Sequence, residues 1–194
     1  MGTIDYYNEN AEYFIDSTIN VDMSETQDLF LSILPNNSKI LDFGCGSGRD
    51  TKYFLEKGHQ VDAIDGSEKI CEIVSSKLNI EVKCMDFFEL DSISEYDGIW
   101  ACASLLHVNY RKLPEMFNKL YLALKPNGVL YASFKYGGYS YVDNGKSYTN
   151  VTEKTIRRLL KNSEFIIEKE WITSDGKNRK TIQWFNIILR KRPA

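Results

Sequence analysis

The feature that most limits how this chain can fold is a glycine-rich segment that follows a short apolar run. The run covers residues 39–43 and contains Asp42, and Gly44, Gly46 and Gly48 follow it at alternate positions. Glycine is needed where φ is positive or where a ligand approaches the backbone closely. The next residues are predicted to begin a helix, and a helix N-terminus favours a carboxylate or phosphate. The segment therefore predicts a strand, a ligand-binding loop and a helix.

Strand-like and helix-like segments alternate from this point. The predicted strands are 39–43, 61–64, 80–85, 96–102 and 129–134, and the predicted helices between them are 49–57, 68–77 and 114–124. Strand 80–85 alternates polar and apolar residues as an edge strand does, and 125–128 is a predicted turn. A helix over 153–161, capped by Thr152, precedes two apolar strands over 165–172 and 181–189, which the turn 174–178 joins as an antiparallel hairpin.

These segments predict one α/β domain over residues 1–194. It has three layers, a Rossmann-like fold and a mostly parallel seven-stranded sheet that ends in an antiparallel hairpin, with its ligand at the carboxyl ends of the strands. Residues 1–35 form an N-terminal helical lid, 38–134 the binding core, 135–152 a substrate loop and 153–194 the last helix and hairpin.

The N-terminal segment is predicted to contain two helices. Residues 5–17 carry Tyr6, Tyr7, Tyr13 and other large side chains at helical spacing, which is typical of a helix packed on a core and also compatible with a lid over a pocket. Ser24 is predicted to begin the second helix, where it forms a capping box with Gln27.

An acidic residue lies at or next to the end of each of the first three predicted strands. Asp42 precedes the glycines, Asp65 ends the second strand and Asp86 ends the third. A carboxylate at the end of the second strand can accept both hydroxyls of a ribose, and one after the third can accept a hydrogen bond from an exocyclic adenine amine. Aspartates that begin loops also bond to their own backbone, but their register with the glycines favours a nucleoside site.

Five motifs in order resemble the class I S-adenosylmethionine-dependent methyltransferases over residues 38–134. They are Leu41 to Gly48, Asp65-Gly66-Ser67, Met85-Asp86-Phe87, Tyr96 to Trp100 and Leu124 to Leu130. The resemblance implies S-adenosylmethionine as cofactor, with S-adenosylhomocysteine as product, and a methyl acceptor that is a small molecule. The cofactor-binding residues that it implies are Asp42, Gly44, Cys45, Gly46, Asp65, Gly66, Ser67, Asp86, Phe87, Ala101 and Cys102.

Within this family the glycine loop is similar to that of small-molecule and tellurite-resistance-type methyltransferases. The signature used on nucleic-acid amines is absent after the fourth strand, where residues 101–104 read Ala-Cys-Ala-Ser. A nicotinamide-dependent oxidoreductase is the less favoured alternative, because Arg49 occupies a position where the dinucleotide fingerprint needs glycine or alanine. A non-catalytic module that binds or senses S-adenosylmethionine is the second alternative.

Methyl transfer from a sulfonium gains most from alignment of the reactants and exclusion of water. A general base is required only for some acceptors. His107, after the fourth strand, is the candidate base, and a hydrogen-bonding prop is its other interpretation. The candidate substrate-binding tyrosines are Tyr7, Tyr13, Tyr136 and Tyr139, with Tyr6, Tyr141 and Tyr148 as further members of the wall. The candidate partners for an acidic substrate are Arg49, Lys135 and Arg111.

Composition excludes several other classes. The 194 residues carry a formal net charge of −3 and no long run of lysine or arginine, so we expect no nucleic-acid partner. The four cysteines are widely spaced, which signals neither a metal site nor a disulfide framework. No apolar segment has the length of a membrane span or a signal core, and the chain is therefore expected in the cytoplasm.

Overall fold

The computed structural model describes residues 2–175 and 181–193. The helices are α1 (Thr3–Glu9), α2 (Ala11–Thr18), α3 (Ser24–Leu31), α4 (Arg49–Glu56), α5 (Glu68–Leu78), α6 (Leu113–Ala123) and α7 (Glu153–Leu159). The strands are β1 (Lys39–Phe43), β2 (Gln60–Asp65), β3 (Val82–Cys84), β4 (Tyr96–Ala101), β5 (Leu124–Lys135), β6 (Ser140–Asp143), β7 (Lys146–Thr149), β8 (Ile166–Ser174) and β9 (Gln183–Arg190). Most of the predicted turn 174–178 lies outside the described residues.

The main sheet has seven strands in the order β3-β2-β1-β4-β5-β9-β8. Strands β1 to β5 pair in parallel, and β9 pairs antiparallel with both β5 and β8. This confirms the mostly parallel sheet with a C-terminal hairpin. The chain runs outward from β1 to β3 and then returns to place β4 on the other side of β1. That reversal opens a crevice at the carboxyl ends of β1 and β4, where ligands bind in folds of this kind.

Alternating side chains of the sheet bury two opposite faces. Leu41 and Phe43 of β1 belong to one apolar cluster with residues of α6 and α7. Ile40 of the same strand belongs to a cluster on the other face, with Phe30 of α3 and Phe54 of α4. Full burial of each such side chain stabilises the fold by about 1.5–3 kcal/mol. The layers of helix, sheet and helix fix the positions of the strand ends.

The N-terminal aromatic segment forms two helices instead of the one predicted over 5–17. Asn10 lies between them, and its backbone departs from helical geometry with φ −117° and ψ 20°. Its side-chain amide donates to the carbonyl of Tyr6 at 2.8 Å. Asparagine side chains compete with the backbone for hydrogen-bond partners, which explains why the helix is interrupted at Asn10. None of the helices in the described part of the chain has both the length and the apolarity to cross a membrane.

The predicted capping box at the start of α3 is wrong. Met23 occupies the N-cap, and its side chain makes no capping hydrogen bond. Ser24 is the first helical residue, and its backbone N–H donates to the carboxylate of Asp22 at 2.9 Å. The side chain of Gln27 is buried and donates to Asp50 at 2.6 Å. A buried tertiary hydrogen bond has therefore taken the side chain that the local pattern assigned to the cap.

The segment predicted as a substrate loop contains a small antiparallel hairpin, β6–β7, which the sequence pattern had not led us to expect. Its two-residue turn is Asn144-Gly145, with φ of 49° and 80°. Asparagine followed by glycine with positive φ at both positions is a strong hairpin signal, and it was present in the sequence. We refer to residues 140–149 below as the lid hairpin.

Other differences are small. Strand β3 is shorter than predicted and lies at the edge of the sheet as expected, and β5 begins at Leu124, before the predicted turn at 125–128. The predicted cap of α7 is confirmed, because the side chain of Thr152 accepts from the backbone N–H of Thr155.

Candidate functional site

The glycine loop connects β1 to α4 through three residues with positive φ. The φ angles of Gly44, Gly46 and Gly48 are 81°, 54° and 75°. A Cβ atom at Gly44 would lie 2.5 Å from the Cβ of Ser104, so a side chain there would displace the loop after β4. The backbone N–H groups of Gly44 and Cys45 both donate to the carbonyl of Ile64 on β2. These contacts hold the loop against the ends of its two neighbouring strands.

Asp65 ties the end of β2 to the glycine loop. One carboxylate oxygen accepts from the backbone N–H of Gly46 at 3.0 Å, and the other accepts from that of Ser67 at 2.9 Å. Burial raises the pKa of Asp65, and the backbone hydrogen bonds oppose that rise. An ionised carboxylate has about four lone-pair sites. Acceptor capacity therefore remains for a hydroxyl donor of a ligand.

Asp86 and Phe87 follow β3 at the next strand end. The carboxylate of Asp86 accepts from the backbone N–H of Phe88 at 2.8 Å and caps a short turn of 3₁₀ helix, while the residue itself is exposed. The ring of Phe87 packs against that of Phe43, with centroids 4.2 Å apart. A carboxylate and an apolar ring thus lie side by side, as a purine with an exocyclic amine requires.

A cavity of about 580 Å³ joins these strand ends. Of the predicted cofactor-binding residues, those that line it are Gly44, Cys45, Gly46, Asp65, Gly66, Ser67, Asp86, Phe87 and Cys102. Asp42 and Ala101 do not line it. Both are buried in the sheet, and Asp42 accepts from the hydroxyl of Thr51 on α4. Burial and the neighbouring Asp50 carboxylate raise the pKa of Asp42.

His107 faces the cavity from the loop after β4 and joins α1 to the lid hairpin. Its Nδ1 lies 2.7 Å from the carbonyl oxygen of Ser147 in the lid hairpin, and its Nε2 lies 2.9 Å from the hydroxyl of Tyr7 in α1. A carbonyl only accepts, so Nδ1 carries the proton and Nε2 accepts from Tyr7 when the ring is neutral. Burial, together with the charges of Lys146 and Lys135, lowers the pKa of His107 to about 4. Burial raises the pKa of Tyr7, and both groups are neutral at pH 7.

The predicted substrate-binding tyrosines divide into two groups. Tyr7 and Tyr13 line the cavity, with Tyr13 at its rim and 73% exposed. Tyr136 and Tyr139 do not line it, because the hydroxyl of Tyr136 donates to Glu153 and Tyr139 lies exposed against Tyr141.

A buried polar network behind the cavity went unpredicted. Both carboxylate oxygens of Asp50 accept from the guanidinium of Arg49, at 2.8 Å each, and Asp50 also accepts from the indole N–H of Trp100 and the amide of Gln27. The hydrogen bonds to Asp50 hold the side chain of Arg49, which lines the cavity. The partners come from three separate elements, and sequence spacing gives no signal for such a network.

The loop after β4 contributes two further features. Ala103 has a φ of 52°, and its backbone N–H donates to the hydroxyl of Ser133 on β5 at 2.8 Å. The hydroxyl oxygen of Ser104 is buried beside the cavity and has no hydrogen-bond partner among the described residues. A buried polar atom without a partner costs about 1–3 kcal/mol, so a ligand that bonds to it gains this free energy.

The fold, with its glycine loop at the switch point of the sheet, is that of Rossmann-like methyltransferase structures. Residues 40–128 match the family described as a methyltransferase domain. This segment, which is less than half of the chain, belongs to that family. No group of three potential metal ligands occurs in the part of the chain that the structure describes.

Two relatives and one solved structure illustrate the similarity. The methyltransferase YqeM of Bacillus subtilis is 31% identical over 53% of this chain and 46% of its own length, and the malonyl-[acyl-carrier protein] O-methyltransferase of Acetivibrio thermocellus is 32% identical over 64% and 43%. The chain thus spans less than half the length of these relatives. The 1,6-didemethyltoxoflavin-N1-methyltransferase of Burkholderia thailandensis superposes with a TM-score of 0.83 at 21% identity, over 97% of this chain and 86% of that one.

Proposed function

We propose that this chain is an S-adenosylmethionine-dependent methyltransferase that transfers a methyl group to a small molecule. The observation that carries the proposal is the composition of the cavity. The glycine loop and Asp65 line its β1–β2 side, where α1 also packs through the bond of Ser67 to Asn8, while His107, Lys135 and the lid hairpin line its β4–β5 side. A cofactor on the first side therefore has an enclosed space beside it for an acceptor.

The residues on the first side fit the cofactor. Asp65 retains acceptor capacity for a ribose hydroxyl, and Gly66 and Ser67 continue the same wall. Asp86 and Phe87 supply an acceptor for the adenine amine and a ring surface for its apolar face. The volume of about 580 Å³ lies within the range of about 300–1,000 Å³ that small-molecule sites occupy. Gly44, Gly46 and Cys102 border the space proposed for the amino-acid part and the methyl donor.

The bound cofactor supplies an electrophilic methyl group on a sulfonium. The chain itself contributes orientation and the exclusion of water, which together are worth on the order of 7–11 kcal/mol in well-aligned reactions. Aromatic rings such as that of Tyr7 attract a sulfonium by cation–π interaction. The Nε2 of His107 accepts a hydrogen bond from the hydroxyl of Tyr7, so we propose that His107 positions Tyr7. A methyl acceptor that loses a proton can pass it to His107 only by way of the Tyr7 hydroxyl, or after it displaces that hydroxyl from Nε2.

Residues 1–35 and 135–152 act as covering segments in this proposal. Thr3 of α1 accepts from the backbone N–H of Ser147, and the contact of Tyr7 with His107 adds a second link between α1 and the lid hairpin. Cytoplasmic location is part of the proposal, and the four cysteines, which are free thiols, support a reducing compartment.

The acceptor does not transfer from relatives. The two whose names state an acceptor, malonyl-[acyl-carrier protein] and 1,6-didemethyltoxoflavin, are methylated on oxygen and nitrogen respectively. We therefore propose a small-molecule acceptor, and experiment must determine which of its atoms receives the methyl group.

Titration calorimetry with S-adenosylhomocysteine, and with NAD as a comparison, tests the cofactor. We expect binding of the former, and we expect Asp65→Asn to weaken it about 10- to 150-fold, because a hydrogen bond to a charged group contributes about 1.5–3 kcal/mol. Asp62→Asn is the matched control. Asp62 lies on the same strand and bonds to Lys39 and Tyr96. Equal affinity in wild type and Asp65→Asn would refute the assignment of the cofactor site.

Turnover separates an enzyme from a sensing module. Incubation with S-adenosylmethionine labelled in its methyl group and a fractionated metabolite extract should yield a labelled small molecule together with S-adenosylhomocysteine. Binding without label transfer to any fraction would favour the sensing module.

A further inference from the structure

Two lysines line the acceptor side of the cavity from different elements. Lys135 ends β5 and Lys146 begins β7 in the lid hairpin, and both are half-buried. The ammonium of Lys135 lies 3.7 Å from the ring centroid of Tyr148, and that of Lys146 lies 3.9 Å from the ring of Tyr6 and 5.8 Å from Tyr148. We call Tyr6, Lys135, Lys146 and Tyr148 the lysine–tyrosine corner. It places two positive charges around one tyrosine ring.

One end of the corner, Lys135, lies on the strands on which the cofactor is not proposed to bind. Asp65 and Asp86 follow β2 and β3, on one side of β1, whereas β4, β5 and β9 lie on the other. Lys135 is at the carboxyl end of β5 and pairs in register with Trp184 of β9, which also lines the cavity. The corner therefore borders the space that remains for the acceptor.

The charge of Lys146 is not neutralised by an ion pair with any carboxylate among residues 2–175 and 181–193. Burial disfavours its charge, yet hydrogen bonds to Tyr148 and Tyr6 raise its pKa, so it is a cation at pH 7. Other carboxylates that line the cavity have partners of their own. Asp50 binds the guanidinium of Arg49, Asp65 binds the glycine loop, and Asp175 accepts from the indole N–H of Trp184. The two lysines also lower the pKa of His107, which shows that their charges act on the interior of the cavity.

The tyrosine rings make the corner suitable for an anion. Cation–π contact with the ring of Tyr6 holds the Lys146 ammonium against a ring face and reduces its freedom without neutralising it. A half-buried cation interacts more strongly with an anion than a fully solvated one does, because the local dielectric constant is lower. The tyrosine hydroxyls add hydrogen-bond donors, and Lys135 already bonds to the hydroxyl of Tyr141 at 2.7 Å.

We propose that Lys146, together with Lys135, binds an anionic group of the methyl acceptor, either a carboxylate or a phosphate monoester. This inference rests on the proposed function, since it takes the cofactor to occupy the β1–β3 side. It makes Lys146 a specificity-determining residue. The acceptor is a small organic anion that lies between this corner and the glycine loop, covered by α1 and the lid hairpin.

A purely structural role for the lysines predicts a different outcome. If Lys146 only secured the lid hairpin to Tyr6, its replacement would lower thermal stability and would weaken all cavity ligands alike. An anion site requires that the loss be selective for negatively charged ligands, and that a conservative replacement retain it.

The probes are phenyl phosphate, benzoate and the neutral amide benzamide, titrated at millimolar concentrations into protein saturated with S-adenosylhomocysteine. We expect one or both anions to bind wild type and benzamide to bind more weakly, and the stronger anion identifies the group. Lys146→Gln should weaken anion binding at least about tenfold, Lys135→Gln should weaken it in the same direction, and Lys146→Arg should retain it. Lys154→Gln, on the exposed face of α7, is the matched control and should leave it unchanged.

Three results would overturn the inference. They are no anion binding to wild type, equal binding to wild type and Lys146→Gln, and displacement of S-adenosylhomocysteine by the anions, which would put the lysines in the cofactor site. If wild type does not bind S-adenosylhomocysteine at all, the proposed function fails separately, and titration of the same anions into ligand-free protein still tests the corner. Melting temperatures of each variant distinguish selective loss from unfolding.

Discussion

The state of His107 makes the stability of the protein depend on pH in a defined window. In the folded chain its Nδ1–H donates to Ser147 and its Nε2 accepts from Tyr7, so both nitrogens are satisfied only by the neutral ring. Burial first, and then the lysine charges, lower its pKa from 6.5 to about 4. As pH falls through 6.5 the unfolded chain takes up a proton that the folded chain refuses until about pH 4. The folded state is therefore progressively destabilised across this window, and this contribution is constant below it.

The size of the effect follows from the same pKa values. One pKa unit corresponds to about 1.36 kcal/mol, so the shift of His107 amounts to about 3 kcal/mol over the whole window. Carboxylates also titrate there, and a variant that lacks the imidazole isolates its share. Between about pH 7.5 and pH 4.5, wild type should lose about 2–3 kcal/mol more free energy of unfolding than His107→Gln does.

Urea unfolding at both pH values, followed by circular dichroism, measures this difference. His59→Gln is the comparison, because His59 lies outside the cavity beside the turn at Gly58 and lacks the contacts with Tyr7 and Ser147. Its removal should change the pH dependence less. Equal losses of free energy of unfolding for wild type and His107→Gln would refute a neutral ring with two hydrogen bonds and the positioning role derived from it.

Two further substitutions test the supports of the site by urea unfolding at neutral pH. Gly48→Ala should cost about 2–4 kcal/mol, because φ is 75° and the new Cβ would lie 2.6 Å from Val74, whereas Gly138→Ala, which meets nothing within 4 Å, should cost only about 0.5 kcal/mol. Asp50→Ala should cost about 3–5 kcal/mol, since it leaves the guanidinium of Arg49 without its buried partner. A free energy of unfolding within error of wild type would contradict the packing described for Gly48 in the first variant and the buried network in the second.

The sequence predicted the fold well where local pattern and tertiary structure demand the same residues. The apolar run of β1 and the glycines after it are such a case, because one strand buried on both faces and one sharp loop determine them. Prediction failed at Gln27, where the local pattern of a helix cap competed with a buried hydrogen bond to Asp50. It also missed the lid hairpin, although Asn144-Gly145 is a recognisable turn.

Only part of the candidate site could be predicted from the local sequence pattern. Asp65 could be placed because strand order brings the end of β2 to the glycine loop. Tyr136 could not, since its direction depends on a hydrogen bond to Glu153 that local sequence pattern does not reveal. Ser104 gave no signal, because its burial without a partner is visible only once the neighbouring strands are in place.

The division of the cavity explains why the acceptor must be determined from this chain's own residues. The family match ends at residue 128, so it includes the glycine loop, Asp65 and Asp86 but stops before the cavity-lining part of β5. The segments that we propose to complete the acceptor side, which are the carboxyl end of β5, the lid hairpin and β9, lie outside it. The reach of Lys146 and Lys135 into the acceptor side is a property of those outer segments, and for this reason charge selectivity at that corner is the more informative guide to the acceptor.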